Sequence, residues 1–353
     1  GFGGYYLLPG MNTLALTINY GVSNAVTWDQ VILRTRENCE FPGGSIAYGN
    51  VNGDSYADIV IGTAPGVSEV KIHQGGPGSN VVIRPFYGYC HGVSVAVGDV
   101  DGDGLDEIIT GPASTGQVAE VAIFNGADGS EQSRFNVNNG TVGAVEVACG
   151  DVDGDGTDEI VVGQGSSWVR VYEGNGTSIG SYTNIPSMTP YENYLGNMTV
   201  AAGDLTGDGR DEIVVGLVKR IYSRSGMYWN GEIRVLSTNF VQQCTPIAVV
   251  GAGWDWGTYE DPALFARRMA VAVGDVNGNG TNEIAVCGDL AFGGTIQTYT
   301  MAGTRIGSFS AYTDDAWGAN LAIGNMDGDA NEEIVIPAIK EVYTEKYITH
   351  DRF

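Results

Sequence analysis

The sequence predicts an all-β protein, a single β-propeller of four-stranded blades. Three observations lead to this prediction. An acidic loop motif recurs six times, each copy is flanked by apolar strand patterns, and the 54 glycines of the 353-residue chain are spread along it as turn residues. No repeat shows convincing helical periodicity, and a hydrophobic content of 43% is enough for a sizeable core.

The repeated motif starts with Gly-Asp or Gly-Asn and runs into an apolar strand. The six copies are GNVNGDSYADIVIG from Gly49, GDVDGDGLDEIITG from Gly98, GDVDGDGTDEIVVG from Gly150, GDLTGDGRDEIVVG from Gly203, GDVNGNGTNEIAVCG from Gly274 and GNMDGDANEEIVIP from Gly324. The residues after the first glycine are 50, 99, 151, 204, 275 and 325, which gives intervals of 49, 52, 53, 71 and 50. Only the fourth interval is long, and it predicts an insertion of about 20 residues in that repeat.

Strands are predicted on both sides of every loop. An alternating run such as VSVAVGDV from Val93 precedes the loop, and a compact apolar strand such as EIVVG follows it. After a turn comes another alternating segment, as in VAEVAIF from Val118, and the variable remainder must hold a fourth strand. Four strands in about 50 residues are typical of a propeller blade.

The length of the chain favours seven blades over six, because 353 residues at about 50 per blade give about seven. Residues 45–337 hold the six repeats. Residues 1–40 contain the strand-like segments NTLALTINY and AVTWDQVILRT, and residues 338–353 are expected to supply a closing strand. The two ends together could make a seventh blade or close the ring by strand sharing. In a rival interpretation, the N-terminal strand pairs with a neighbouring molecule and builds a filament.

The spacing of oxygen-bearing side chains in each loop predicts a calcium site. In GDVDGDGLDE, Asp99, Asp101, Asp103 and Glu107 occupy positions 1, 3, 5 and 9, and Leu105 at position 7 can offer its carbonyl oxygen. Alternate oxygens on a curled backbone can converge on one hard cation at about 2.3–2.6 Å. Mg²⁺ is disfavoured because it demands tighter octahedral geometry, and zinc because no His or Cys lies nearby.

Up to six calcium ions are therefore predicted, one in each loop. The candidate ligands at positions 1, 3, 5, 7 and 9 are Asn50, Asn52, Asp54, Tyr56, Asp58; Asp99, Asp101, Asp103, Leu105, Glu107; Asp151, Asp153, Asp155, Thr157, Glu159; Asp204, Thr206, Asp208, Arg210, Glu212; Asp275, Asn277, Asn279, Thr281, Glu283; and Asn325, Asp327, Asp329, Asn331, Glu333. Loops two and three have four acids each and loops one and five only two. We predict the tightest binding at the loops that start at Asp99 and Asp151.

The loops and their flanking strands resemble FG-GAP repeats, the blades of integrin α-subunit propellers and of related bacterial and fungal secreted propellers. The similarity covers residues 45–337, although the Phe-Gly and Gly-Ala-Pro of the family name are only echoed, in GTAPG at Gly62 and GPAS at Gly111. The resemblance implies calcium in the loops, an extracellular setting and a binding role. Some members of the family are lectins, and some propellers with similar loops are polysaccharide lyases.

Charge and composition narrow the partners. A formal net charge of −25 disfavours nucleic acid and anionic membranes, and no stretch approaches the ~18 apolar residues that a membrane-spanning helix needs. None of the five cysteines has metal-binding spacing, and Cys39 and Cys90 could pair across neighbouring blades.

We expect a binding module rather than an enzyme. His73, His91 and His350 lie in no catalytic motif, and the abundant carboxylates are assigned to metal. The expected partner is a glycan or an extracellular protein. A structural subunit of an extracellular filament or surface layer is one alternative, and a lyase-like enzyme with Tyr or Lys as base is another.

The long fourth repeat offers candidate ligand-binding aromatics. They are Tyr228, Trp229, Trp254, Trp256 and Tyr259. The alternative is that this insertion packs over its own blade.

Sequons for N-glycosylation start at Asn139, Asn175 and Asn197. The sequon at Asn279 is expected to be silent, because Asn279 is a candidate calcium ligand.

Overall fold

The computed structural model describes residues 15–18, 30–34, 44–54, 56–63, 66, 68–75, 80–165, 168–182, 192–194, 198–223, 226–249, 269–288, 295–310, 320–326 and 331–338. Their regular secondary structure is β-strand. These residues include no helix with the length and apolarity needed to cross a membrane.

The strands follow the predicted repeats. The N-terminal strands are β1 (Ala15–Ile18) and β2 (Gln30–Arg34). Blade one holds β3 (Ser45–Gly49), β4 (Asp58–Gly62), β5 (Val70–His73) and β6 (Val81–Ile83); blade two holds β7 (Val93–Gly98), β8 (Glu107–Pro112), β9 (Glu120–Asn125) and β10 (Glu131–Asn136). Blade three holds β11 (Glu146–Gly150), β12 (Glu159–Gln164), β13 (Trp168–Tyr172) and β14 (Ser178–Tyr182).

The remaining strands complete two more blades and the end of the chain. Blade four holds β15 (Glu192–Tyr194), β16 (Thr199–Gly203), β17 (Glu212–Ser223), β18 (Gly226–Leu236) and β19 (Ile247–Val249). Blade five holds β20 (Met269–Gly274), β21 (Glu283–Gly288), β22 (Thr295–Tyr299) and β23 (Arg305–Ser310), and the last strands are β24 (Ala322–Gly324) and β25 (Glu333–Ala338). Each blade is an antiparallel sheet of consecutive strands, and in blade four β15 adds a fifth strand beside β17.

The two ends of the chain meet in a mixed sheet of order β1-β2-β25-β24. Strand β2 runs parallel to β25, with Gln30 opposite Ile334 and Arg34 opposite Ala338. The innermost strands β3, β7, β11, β16, β20 and β24 contact one another in that order, and β24 returns to β3. The N-terminal strands therefore complete the last sheet of a closed ring within one molecule. Apart from Ala338, the predicted closing strand over 338–353 lies outside the described residues.

The predicted number of blades is wrong. The described residues form five complete blades and the shared sheet, neither the seven blades favoured by length nor six equal blades. The length estimate fails for two reasons. The fourth repeat uses extra residues for the long β17–β18 hairpin, and the first 40 residues contribute only two described strands to a sheet shared with the last repeat.

The core lies between neighbouring sheets. Val60 and Ile72 of blade one, for example, pack in one cluster with Val95 and Ile108 of blade two, and all four are at most 4% exposed. The alternating strand pattern of the sequence has this origin, because each blade buries one face against each neighbour.

The antiparallel order gives the propeller two distinct ends. All six acidic loops join a first strand to a second strand, so they lie together at one end, which we call the loop face. The opposite end, the hairpin face, carries the turns between second and third strands, including the tip of the β17–β18 hairpin beside Ser223 and Gly226. It also carries the connections from each blade to the next.

Candidate metal centres

A buried carboxylate at position 9 starts the second strand in all six repeats. These residues are Asp58, Glu107, Glu159, Glu212, Glu283 and Glu333, each at most 5% exposed. In every repeat the residue lies directly opposite the glycine that ends the first strand. The shared register places a carboxylate at the base of each loop, where its charge is costly unless a cation or hydrogen-bond donors compensate it.

Loops two and three gather three carboxylates each. Ligand atoms of Asp99, Asp101 and Glu107 lie within 4.8 Å of one another, as do those of the equivalent residues in loop three, Asp151, Asp153 and Glu159. Positions 1, 3 and 9 of the predicted ligand set are therefore brought together in both loops.

The position-1 carboxylate also organises the loop backbone. In loop two, Oδ1 of Asp99 accepts hydrogen bonds from the amides of Gly102 at 2.8 Å and Asp103 at 3.1 Å, and Oδ2 accepts one from Gly104 at 2.9 Å. Gly102 and Gly104 have φ values of 76° and 87°, a region in which glycine is unstrained. Asp151 in loop three and Asp204 in loop four make the equivalent contacts.

The position-5 residues lie outside the groups of three. Oδ1 of Asp103 accepts a hydrogen bond from the amide of Leu105, and Oδ1 of Asp155 accepts one from Thr157, both at 2.9 Å. Sequence spacing alone assigned these side chains to the metal. In the structure one oxygen of each is engaged in holding the turn.

Glu159 provides the decisive test of whether a cation fits. Its Oε2 accepts hydrogen bonds from the amides of Val152 and Asp153, at 2.8 and 3.1 Å, whereas its buried Oε1 has no hydrogen-bond partner among the residues that the structure describes. Burial and the neighbouring Asp153 raise the pKa of Glu159 to about 7, although backbone hydrogen bonds oppose the shift. Burial and Asp101 likewise raise the pKa of Glu107 to about 7. An orphaned buried oxygen within an all-oxygen cluster suits a hard divalent cation.

Loops one and five satisfy part of this demand with amides. In loop five, Nδ2 of Asn277 donates to Oε1 of Glu283 at 2.5 Å, and Nδ2 of Asn279 lies 3.4 Å from the same oxygen. In loop one, Nδ2 of Asn50 donates to the carbonyl oxygen of Asp54 at 2.8 Å. In loop five the two amide N–H groups partly balance the charge of Glu283. Weaker calcium binding by loops one and five stays a prediction.

Loops four and six are intermediate. In loop four, Oγ1 of Thr206 lies 3.4 Å from Oε1 of Glu212, and Oε2 of Glu212 accepts from the amide of Leu205 at 3.0 Å. In loop six, the amide of Met326 donates to Oε2 of Glu333 at 2.6 Å. The candidate ligands Asp327 and Asp329 lie outside the described residues.

The predicted ligand-binding and modification residues are only partly described. Tyr228 and Trp229 lie in β18, opposite Ile221 and Arg220 of β17. Trp254, Trp256, Tyr259, Asn197 and Cys39 lie outside the described residues. Asn139, Asn175 and Cys90 are all exposed.

Sequence reasoning missed two features. The motif analysis assigns no role to position 8 of the loops, where four repeats carry an acid that contacts the preceding loop. Tyr87 was not singled out, yet its side chain is fully exposed in the β6–β7 connection between the buried Phe86 and Tyr89. All six copies of the motif have a glycine directly before position 1, and this glycine could have indicated that another residue approaches the loop closely there. No motif in the sequence singles out Tyr87.

Comparison with family models shows which known repeats the blades of this chain match. FG-GAP-like repeats match residues 50–110 and 151–215, and an FG-GAP repeat matches residues 91–142. The chain carries FG-GAP repeats. The matches confirm the resemblance and are consistent with an FG-GAP repeat β-propeller, a fold that supports a binding module. A search of curated proteins finds no match for this sequence.

Several solved structures are similar to this chain over most of its length. Saccharomyces cerevisiae Sqt1 is 10% identical with a TM-score of 0.46, over 80% of this chain and 66% of Sqt1. BBS1N, solved in complex with ARL6DN, is 15% identical with a TM-score of 0.38, over 81% and 86%. The Dos1 propeller is 10% identical with a TM-score of 0.39, over 81% and 79%. At these values no ligand or partner passes from those proteins to this chain.

Proposed function

We propose that the protein is an extracellular, calcium-stabilised binding module that recognises a glycan at its hairpin face. The observation that supports calcium most directly is Oε1 of Glu159. This buried oxygen has no hydrogen-bond partner in the described part of the chain, and Glu159 belongs to the cluster with Asp151 and Asp153. Asp99, Asp101 and Glu107 would hold a second ion. The ions would supply positive charge to loops whose carboxylates otherwise repel one another.

This proposal assigns the acidic side chains to stability rather than to catalysis. The clusters lie at the loop face, where the same loop recurs in every repeat, and a repeated structural element is a poor candidate for a single catalytic centre. FG-GAP repeats are typical of extracellular proteins, where calcium is abundant enough to fill sites of modest affinity.

The hairpin face offers the better surface for recognition. Tyr87 projects from it fully exposed, and its neighbours are fixed, because Phe86 and Tyr89 are buried and Oη of Tyr89 hydrogen-bonds to Ser114 at 2.8 Å. An aromatic ring held by a rigid support can stack on the apolar face of a sugar at little entropic cost. The long β17–β18 hairpin, with Tyr228 and Trp229, rises at the same end.

The axial opening at this face is too small to receive a sugar. It is a cavity of about 60 Å³ lined by the innermost strands, including Ser45, Glu146 and Thr199, whereas ligand pockets measure about 300–1,000 Å³. The proposed ligand therefore lies across the face and not along the axis.

A glycan array probed with the calcium-loaded protein tests this proposal. We expect binding that Tyr87→Ala or Trp229→Ala weakens at least about tenfold. Tyr56→Ala is the matched control, because Tyr56 is a half-exposed tyrosine on the loop face. As a position-7 residue it would offer calcium only its backbone carbonyl oxygen, which the substitution keeps, so glycan binding should be unchanged. No binding by the wild-type protein to a broad array, or equal losses for Tyr87→Ala and Tyr56→Ala, would contradict glycan recognition at the hairpin face.

A further inference from the structure

The residue at position 8 reaches back to the preceding loop. In four repeats it is an acid, and its backbone N–H donates to the carbonyl oxygen of the position-1 residue in the loop before. The pairs are Asp106 to Asn50 at 3.3 Å, Asp158 to Asp99 at 2.9 Å, Asp211 to Asp151 at 2.8 Å and Glu332 to Asp275 at 3.0 Å. Each contact joins two adjacent repeats at the loop face.

The side chain of the same acid returns the contact. The amide of Asn50 donates to Oδ2 of Asp106 at 2.6 Å, and the amide of Asp275 donates to Oε2 of Glu332 at 2.8 Å. The backbones of Asp99 and Asp151 hydrogen-bond to the carboxyl groups of Asp158 and Asp211 in the same way. The start of one loop is thus held by the acid of the next repeat.

The glycine before position 1 makes room for this acid. A Cβ atom on Gly49, Gly98, Gly150 or Gly274 would overlap the carboxylate of Asp106, Asp158, Asp211 or Glu332, respectively. The glycines are therefore required for close approach.

Asp158 and Asp211 each link two loops directly. Each contacts the position-1 backbone of the preceding loop and directly precedes the buried position-9 carboxylate of its own loop, Glu159 or Glu212.

We propose that Asp158 and Asp211 are positioning residues that couple the calcium sites of neighbouring repeats, so that an ion in one loop raises the calcium affinity of the next. The inference rests on the proposed calcium binding. An ion in loop two would fix the backbone of Asp99 and offset the repulsion on Asp158. Because Asp158 precedes Glu159, the same ion would order the base of loop three.

At two of the junctions between neighbouring repeats, the residue at position 8 is not an acid. Position 8 of loop five is the uncharged Asn282, whose Nδ2 would lie 3.7 Å from a Cβ on Gly203. Position 8 of loop one is Ala57, and there Tyr48 packs on Gly324 and its hydroxyl donates to the carbonyl oxygen of Asn325. Coupling through an acid should therefore stop between loops four and five and between loops six and one.

Calorimetric titration of calcium-free protein with Ca²⁺ tests the coupling. Disabling loop two with Glu107→Gln should weaken binding at loop three about threefold or more. In an Asp158→Asn background, where the hydrogen-bond acceptor is kept and the charge removed, the same substitution should have a smaller effect. If Asp158 had only a structural role, Glu107→Gln would weaken calcium binding at loop three equally in the wild-type and Asp158→Asn backgrounds.

A variant that adds an acid tests the coupling in the opposite direction, so that a loss of binding through misfolding cannot imitate the expected result. Asn282→Asp adds the missing acid and should raise the affinity of loops four and five, while thermal melts confirm that each variant folds. If Glu107→Gln leaves loop three unaffected, or Asn282→Asp changes neither loop, the coupling is overturned while calcium binding stands. If the wild-type protein takes up no Ca²⁺ at all, the proposed function itself fails.

Discussion

At the scale of single residues, the position-9 carboxylate is costly in the absence of a cation. In loop three, Glu159 is fully buried, and among the described residues its Oε1 has no hydrogen-bond partner. In loop five, Oε2 of the equally buried Glu283 is likewise without one, but Oε1 accepts a hydrogen bond from Asn277, which stands where loop three has the carboxylate of Asp153. We therefore expect a cation to stabilise loop three more than loop five, because loop three has an additional carboxylate at position 3.

Glu159→Gln should have effects of opposite sign with and without calcium. With Ca²⁺ present, the variant should lose one tight site and melt at a lower temperature, because a carboxylate ligand is gone. In calcium-free protein at pH 8, it should raise the free energy of unfolding by about 1–3 kcal/mol, because a neutral amide replaces a buried charge. Chemical unfolding in both conditions measures this.

Glu283→Gln is the matched control for that experiment. Because Asn277 already donates to Glu283, its loss should change calcium binding less than the loss of Glu159. A Glu159→Gln protein that is destabilised equally in both conditions would show that the carboxylate has a structural role unrelated to metal.

The sequence predicts some of these roles and not others. The positions of Asp99, Asp101 and Glu107 follow from spacing within one motif, because neighbouring oxygens on a curled backbone must converge. The contact between Asp158 and Asp99 does not follow from that motif, because it joins different repeats and depends on how two blades pack. Tyr87 is likewise special only through its exposure.

At the scale of elements, the sequence predicts the strands of the repeats well. It does not predict how the N-terminal and C-terminal strands pair with each other. Alternating runs such as VSVAVG form strands as predicted, and the structure shows that these are the innermost strands. The number of blades depends on the structure of residues outside the repeated motifs. The strands β1 and β2 are among them, and no acidic loop joins them to mark their place in the ring. Only the pairing of β2 with β25 shows that the two ends share one sheet.

Removal of residues 1–34 should open the ring. Without β1 and β2, the backbone edge of β25 that pairs with Gln30–Arg34 would be unpaired and available to another molecule. We expect a lower melting temperature and concentration-dependent association, measured by thermal melts and light scattering. Removal of residues 1–14 alone keeps both strands and should leave a stable monomer. Equal behaviour of the two deletions would contradict ring closure by β2.

At the scale of the whole molecule, the acids of the loop face make calcium-free stability depend on pH. The pKa values of Glu107, Glu159 and Asp211 are raised to about 7, and that of Asp158 to about 6. A folded-state pKa above the unfolded one means that the folded protein retains protons which the unfolded chain releases. The stabilising contribution is complete below about pH 4 and is lost as pH rises through about 6–7.

Calcium-free protein should therefore melt at a higher temperature at pH 5 than at pH 8. Saturating Ca²⁺ at pH 8 should restore the lost stability, because the ion replaces the protons as the counter-charge. Calcium-free protein that is more stable at pH 8 than at pH 5 would show that the raised pKa values do not govern its stability.

We propose that calcium in the acidic loops holds the propeller together, and a thermal melt across calcium concentration at neutral pH tests this role most directly. An ion that binds only the folded state must raise its stability as the ion concentration exceeds the dissociation constant. We predict a midpoint that rises with Ca²⁺, falls on strong chelation, and responds much less in a Glu107→Gln, Glu159→Gln double variant. A wild-type midpoint that is the same in chelator and in saturating Ca²⁺ would contradict the claim.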